Sequence, residues 1–186
     1  MSSPTGRGGC RVPSNEIDVM DTALTKLLQP RIEALKVLVV DDELSMRKVV
    51  RAMLYSLGVR TIFEAHDGAA GLEAVRANDP DVVIVDWEMP NIDGSQFVRT
   101  VRGPGAFPRP DVPILMLSGH ADRWRVIEAA RIGASDYMLK PVSAKALHDR
   151  IVAIVGRVRP GAASKSPSAE TSAGSSVPAG RASAAN

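Results

Sequence analysis

Val82-Val83-Ile84-Val85-Asp86 is four β-branched aliphatics in a row, closed by a carboxylate. A strand with one wet face alternates apolar and polar residues. An unbroken apolar run reads instead as a strand covered on both faces. The stretches around it repeat the pattern. Val37–Val40 and Ile114–Leu117 are equally continuous, Tyr137–Leu139 is weaker, and Thr61–Glu64 is a short β-type run. Helical patterns come after these runs, at Leu44–Leu57, Ala69–Ala77, Gly94–Arg102, Asp122–Ile132 and Ser143–Arg157. In the first of them Met46, Val49, Val50, Met53, Leu54 and Leu57 share one face, and Gly58 stands next as a stop. Strand and helix alternate five times, which predicts an α/β domain with a parallel sheet.

The chain has 186 residues, 45% of them hydrophobic, enough for one ordinary domain with extensions. Residues 36–158 carry 16 basic and 16 acidic side chains, and residues 1–35 carry 4 of each. The net charge of +2 therefore lies in residues 159–186. With no basic excess on the candidate domain, nucleic acid is not expected as a partner. No apolar run is long enough to span a bilayer, so membrane insertion is not expected. The single cysteine, Cys10, excludes an internal disulfide and a cysteine zinc site, and suits a reducing, cytoplasmic setting.

The chain divides into an N-terminal extension (1–35), a domain (36–158) and a tail (159–186). Ala, Ser, Gly and Pro supply 21 of the 27 residues from Pro160 to Asn186, a composition that predicts disorder. The first 13 residues look similar. Between them, Ile17, Met20, Leu24, Leu27 and Leu28 share one helical face of Ser14–Gln29, which Pro30 should end or kink. This segment reads either as a helix packed on its own domain or as a docking or dimerising helix.

The polar residues that close the apolar runs point to chemistry. Val37–Val40 leads into Asp41, Asp42 and Glu43; Val82–Val85 into Asp86; Ile114–Leu117 into Ser118; Tyr137–Leu139 into Lys140. In a parallel sheet these ends share one edge, where α/β ligand sites form. An acidic pair after a strand is by itself more often a helix cap, and a lone Ser or Lys there a turn or surface residue. Together they say more. Three adjacent carboxylates repel unless a cation intervenes, and hard oxygen ligands suit Mg²⁺. An aspartate can attack phosphorus to form an acyl phosphate, with a Lys ammonium and a Ser hydroxyl placed to hold its oxygens.

Residues 36 to about 158 resemble the receiver domain of two-component response regulators, and are most similar to the single-domain chemotaxis regulators. The resemblance rests on Val40-Asp41-Asp42-Glu43, Met46-Arg47, Glu64-Ala65-His66-Asp67-Gly68, Asp86-Trp87-Glu88-Met89-Pro90-Asn91-Ile92-Asp93-Gly94, Leu117-Ser118-Gly119-His120 and Gly133-Ala134-Ser135-Asp136-Tyr137-Met138-Leu139-Lys140-Pro141. It implies a flavodoxin-like, doubly wound, five-stranded parallel sheet in the order 2-1-3-4-5, with a cis Lys140–Pro141 bond. It further implies that Asp86 accepts a phosphoryl group from a histidine kinase or phosphotransferase. Asp42, Asp86 and the Glu88 backbone carbonyl would bind Mg²⁺, with Asp41 orienting water in its shell. Lys140 would pair with the phosphoryl group, and Ser118 and Tyr137 would form the switch pair. Glu88 and His120 flank the site and would gate the hydrolytic water, either in mutual contact or as separate exposed residues. His66 and His148 read as ordinary surface residues.

The expected function is thus a stand-alone phosphorylation switch, monomeric or weakly dimeric. Its downstream protein partner would bind across residues 122–154, and its only reaction of its own would be slow self-dephosphorylation. The alternative is a Mg²⁺-dependent aspartyl phosphatase-like enzyme. Such enzymes use a second Asp two residues beyond the nucleophile, and here that position is Glu88. An FMN site would need a Ser, Thr or Gly-rich loop after the first strand, where three acids stand instead. A DNA-binding output domain does not fit the 28 residues after Val158.

Overall fold

The computed structural model describes residues 27–105 and 107–157. Among the described residues a helix over 27–33 comes first, and five strands and five further helices then alternate: β1 (Lys36–Val40), α1 (Leu44–Ser56), β2 (Thr61–Ala65), α2 (Gly68–Asn78), β3 (Val82–Asp86), α3 (Gly94–Arg102), β4 (Ile114–Ser118), α4 (Arg123–Ile132), β5 (Asp136–Leu139) and α5 (Ala144–Arg157). All neighbouring strands are parallel, in the order β2-β1-β3-β4-β5. The Lys140–Pro141 bond is cis.

The continuous apolar runs are explained by two cores, one on each side of the sheet. Val82 and Ile84 of β3 join Val37, Leu115, Val50, Leu54, Leu147 and Ile151 on one side. Val83 and Val85 join Leu38, Met116, Leu72, Phe97 and Val101 on the other. Successive residues of a strand point to opposite faces, so covering both faces makes every position apolar. Caps fix the helix starts: Asp67 accepts from the Ala70 amide at 2.7 Å, and Asp93 from the Gln96 amide at 2.8 Å.

Three expectations need correction. Val49 does not belong to the buried face of α1. It is 46% exposed, and the stripe narrows to Val50 and Leu54, with Met46, Met53 and Leu57 partly buried. Leu27 is also exposed, although Leu28 beside it is buried. Pro30 does not end the helix ahead of β1, which continues over residues 27–33. Pro30 has no amide donor, but its carbonyl accepts from the Ala34 amide at 3.3 Å, and Leu28 and Ile32 anchor the segment in the first core. Gln29 adds a bond from its amide to the Leu57 carbonyl at 3.3 Å, at the end of α1. Gly58 then stops α1 at a φ of +101°. The N-terminal part of Ser14–Gln29 and the tail lie outside the described residues.

Candidate functional site

Sheet register assembles the site. Val40 pairs with Val85, Asp86 with Leu117, and Ser118 with Leu139. The residues just beyond these pairs therefore emerge together at the C-terminal edge. Backbone bonds hold the strand ends: Asp41 to Ala65 (3.2 Å), Trp87 to Leu117 (2.7 Å) and Lys140 to Ser118 (2.7 Å). Gly94 lets the loop after β3 fold back. A Cβ there would sit 2.3 Å from the Asp86 carbonyl oxygen, so only glycine fits without backbone movement.

At this edge Lys140 Nζ lies 2.8 Å from Asp41 Oδ2 and 3.0 Å from Asp86 Oδ2. Asp41 is 1% exposed and Asp86 is also buried, whereas Asp42 faces solvent. The other Asp41 oxygen accepts from the Glu43 amide at 2.9 Å, and the Asp41 carbonyl accepts from Arg47 at 2.6 Å. Burial pushes the Asp86 carboxyl above its ordinary value, against the bond and charge of Lys140, and the Asp41 charge adds to the rise. Burial would lower the Lys140 ammonium, but its bonds to Asp41 and Asp86 and their charges outweigh that and raise it. The ammonium is thus fixed in its charged form between two carboxylates.

Carboxylate oxygens of Asp41, Asp42 and Asp86 all lie within 4.8 Å of one another. These are hard donors, and the exposed side at Asp42 leaves room for water. The set fits a Mg²⁺ ion.

A rim surrounds this interior. Ser118 is fully buried, and its hydroxyl accepts from the His120 amide at 3.1 Å and from Arg125 at 3.4 Å. Glu88 and His120 do meet: Glu88 Oε1 is 3.0 Å from His120 Nδ1. The same oxygen lies 2.9 Å from Arg125 Nη1. The Tyr137 hydroxyl donates to the His120 carbonyl at 2.8 Å, and its ring stands edge-on to Trp87 at 6.2 Å. His66 and His148 pair with their neighbours Asp67 and Asp149.

Sequence reasoning missed Arg125. Its guanidinium carbon lies 5.5 Å from the Trp87 ring centre and 5.4 Å from that of Trp124. The signal was available as an Arg and a Trp in the first turn after the Ser118 loop, opposite a carboxylate two residues past Asp86. A first-turn Arg on an outer helix ordinarily reads as a surface charge.

The profile for the response regulator receiver domain matches residues 37–152. This chain belongs to that family. It is 35% identical to the chemotaxis protein CheY of Pseudomonas aeruginosa over 124 residues, which is 67% of this chain and 98% of that protein. It is 34% identical to CheY-3 of Vibrio cholerae, across 67% of this chain and 94% of that one. Among solved structures, the V. cholerae chemotaxis response regulator CheY4 matches with a TM-score of 0.59 at 31% identity, covering 64% of this chain and 98% of that chain. The Francisella response regulator 1452 receiver domain matches with a TM-score of 0.60 at 28% identity, covering 66% and 98%. The receiver fold expected from the sequence is therefore shown. No helix among the described residues is long and apolar enough to cross a membrane.

Proposed function

We propose that this receiver accepts a phosphoryl group on Asp86 from a histidine kinase or phosphotransferase, in a Mg²⁺-dependent reaction, and thereby switches a protein-binding surface. The observation that carries the reading is the buried Asp41–Lys140–Asp86 array, with Lys140 within 3.0 Å of the Asp86 carboxylate. In the reaction an Asp86 oxygen bonds to phosphorus, the donor's P–N bond breaks, and the freed imidazole takes up a proton. Lys140 supplies a fixed positive charge for the phosphoryl oxygens. Asp42, Asp86 and the Glu88 carbonyl would hold Mg²⁺, with Asp41 orienting water in its shell; when bound, the ion offsets the charge that these carboxylates and the phosphoryl group place together.

Ser118 is placed to donate to a phosphoryl oxygen once its hydroxyl turns, and Tyr137 to follow. The output surface comprises residues 122–132, 135–139 and 143–154. Trp124, Val126, Ile127 and Leu139 expose apolar side chains there, a ready contact area for a downstream protein. Acetyl phosphate with Mg²⁺ should add about one phosphoryl group per chain, as one nucleophile is present. Asp86→Asn, or removal of Mg²⁺ with a chelator, should abolish incorporation. Unchanged labelling of Asp86→Asn defeats the proposal.

A further inference from the structure

Arg125 has more donors than its present partners use. One nitrogen, Nη1, serves both the Glu88 carboxylate at 2.9 Å and the Ser118 hydroxyl at 3.4 Å. Its Nε is buried and has no hydrogen-bond partner among the described residues; the Asp122 carboxylate stands 3.7 Å away, too far for a bond. A buried N–H without an acceptor is unfavourable, so the arrangement is stable only until a better acceptor appears. The guanidinium is flanked by residues that border Asp86 on two sides. Trp87 comes directly after Asp86 in the chain, and Ser118 directly after Leu117, the partner of Asp86 in β4. On its outer side it contacts Trp124, which is 57% exposed on α4 and stands edge-on to Trp87 at 6.0 Å. Within α4 only Ala129 is buried, so little packing opposes movement of its first turn.

We propose that Arg125 is a positioning residue that couples the occupancy of Asp86 to the exposed face of α4. With Asp86 free, Arg125 is held by Glu88 and Ser118. A phosphoryl group adds about −1.5 to −2 charges and three acceptor oxygens. Arg125 exchanges the single Glu88 carboxylate for those oxygens, its Nε gains an acceptor, and Trp124, stacked against it, changes environment. The guanidinium suits this task because its fork can serve two oxygens while its face stays on an indole. The inference rests on Asp86 being the phosphoacceptor.

NMR on the full chain with Mg²⁺ and beryllofluoride tests it, with ¹⁹F signals reporting occupancy of Asp86. The Arg125 Nε–H resonance, assigned by its loss in Arg125→Lys, should move downfield as it acquires a hydrogen bond. The Trp124 indole N–H should shift as well. At equal ¹⁹F occupancy, Arg125→Ala should lose the Trp124 shift and Arg125→Lys should retain part of it. An unmoved Arg125 Nε–H at full occupancy overturns the coupling, as does a Trp124 shift that survives Arg125→Ala. Absence of bound beryllofluoride in the wild type, or its persistence in Asp86→Asn, instead overturns the assignment of Asp86, and the exchange with it.

Discussion

Asp41, Asp86 and Lys140 meet where three strands end, each carried there by backbone that the sheet register fixes. Glu88, His120 and Arg125 meet about the same edge by other means, from two loops and the first turn of α4. The first group is largely buried, and every member depends on the others to offset the loss of water. The second is half exposed, apart from the Arg125 side chain, and its pairs are open to solvent and salt. Removing one buried charge strands its partners, whereas exposed ion pairs contribute little. Equal-looking contacts of about 3 Å should therefore have unequal consequences in the two regions.

Lys140→Ala tests the inner region most severely. It leaves Asp41 and Asp86 without their shared cation and should cost about 3 kcal/mol in urea unfolding at pH 7 without Mg²⁺. Part of that loss should return as pH falls and Asp86 takes a proton. A loss below ~1 kcal/mol would place the array in a far more solvated setting than its burial indicates. Gly94→Ala comes next. The new Cβ would collide with the Asp86 carbonyl and lie 2.9 Å from Trp87 Cα. Relief requires a backbone shift, so a loss of roughly 1–3 kcal/mol is expected, with slower phosphorylation of Asp86.

Asp86→Asn should act in the opposite direction. The Asp86 pKa is raised in the folded state, chiefly by burial. A group raised on folding favours the native state below its unfolded pKa, and that advantage is lost as pH rises through the folded value. Without Mg²⁺, Asp86→Asn should therefore be more stable than wild type at pH 7, with the gap closing toward pH 4 as Asp86 protonates. Unfolding midpoints at both pH values check the sign. The rim should respond least. Glu88→Gln and His120→Ala are each expected to change stability by no more than about 1 kcal/mol. Any effect on the lifetime of the phosphoryl group should stay within about tenfold, because they act on water access and not on the bonds being made. A loss comparable to that of Lys140→Ala would erase the contrast between rim and interior.

The same contrast explains what was legible in the sequence. Val82–Asp86 and Val37–Asp42 announce covered strands ending on carboxylates, because double burial forces every strand position to be apolar and the first polar residue to mark the edge. The alternation of strand and helix gave the class, but the order β2-β1-β3-β4-β5 came from family resemblance, since apolar runs do not specify their neighbours. Contacts of the rim depend on where α4 lies, and α4 is a weakly amphipathic helix whose Trp124, Val126 and Ile127 face out. Arg125 could not be placed from such a pattern, and whether Glu88 met His120 stayed open for the same reason. The Pro30 and Val49 corrections have a similar origin. Tertiary packing of Leu28, Ile32, Val50 and Leu54 decided both, and local rules do not see it.

Three aspartates crowd this pocket, and Lys140 contacts two of them, so the decisive measurement is which one carries the phosphoryl group. Borohydride reduces an aspartyl phosphate to homoserine, and peptide mass spectrometry then locates the altered residue. After incubation with acetyl phosphate and Mg²⁺, homoserine is expected at position 86, with Asp41 and Asp42 intact. Homoserine at 41 or 42, or none while phosphate is incorporated elsewhere, would contradict the account.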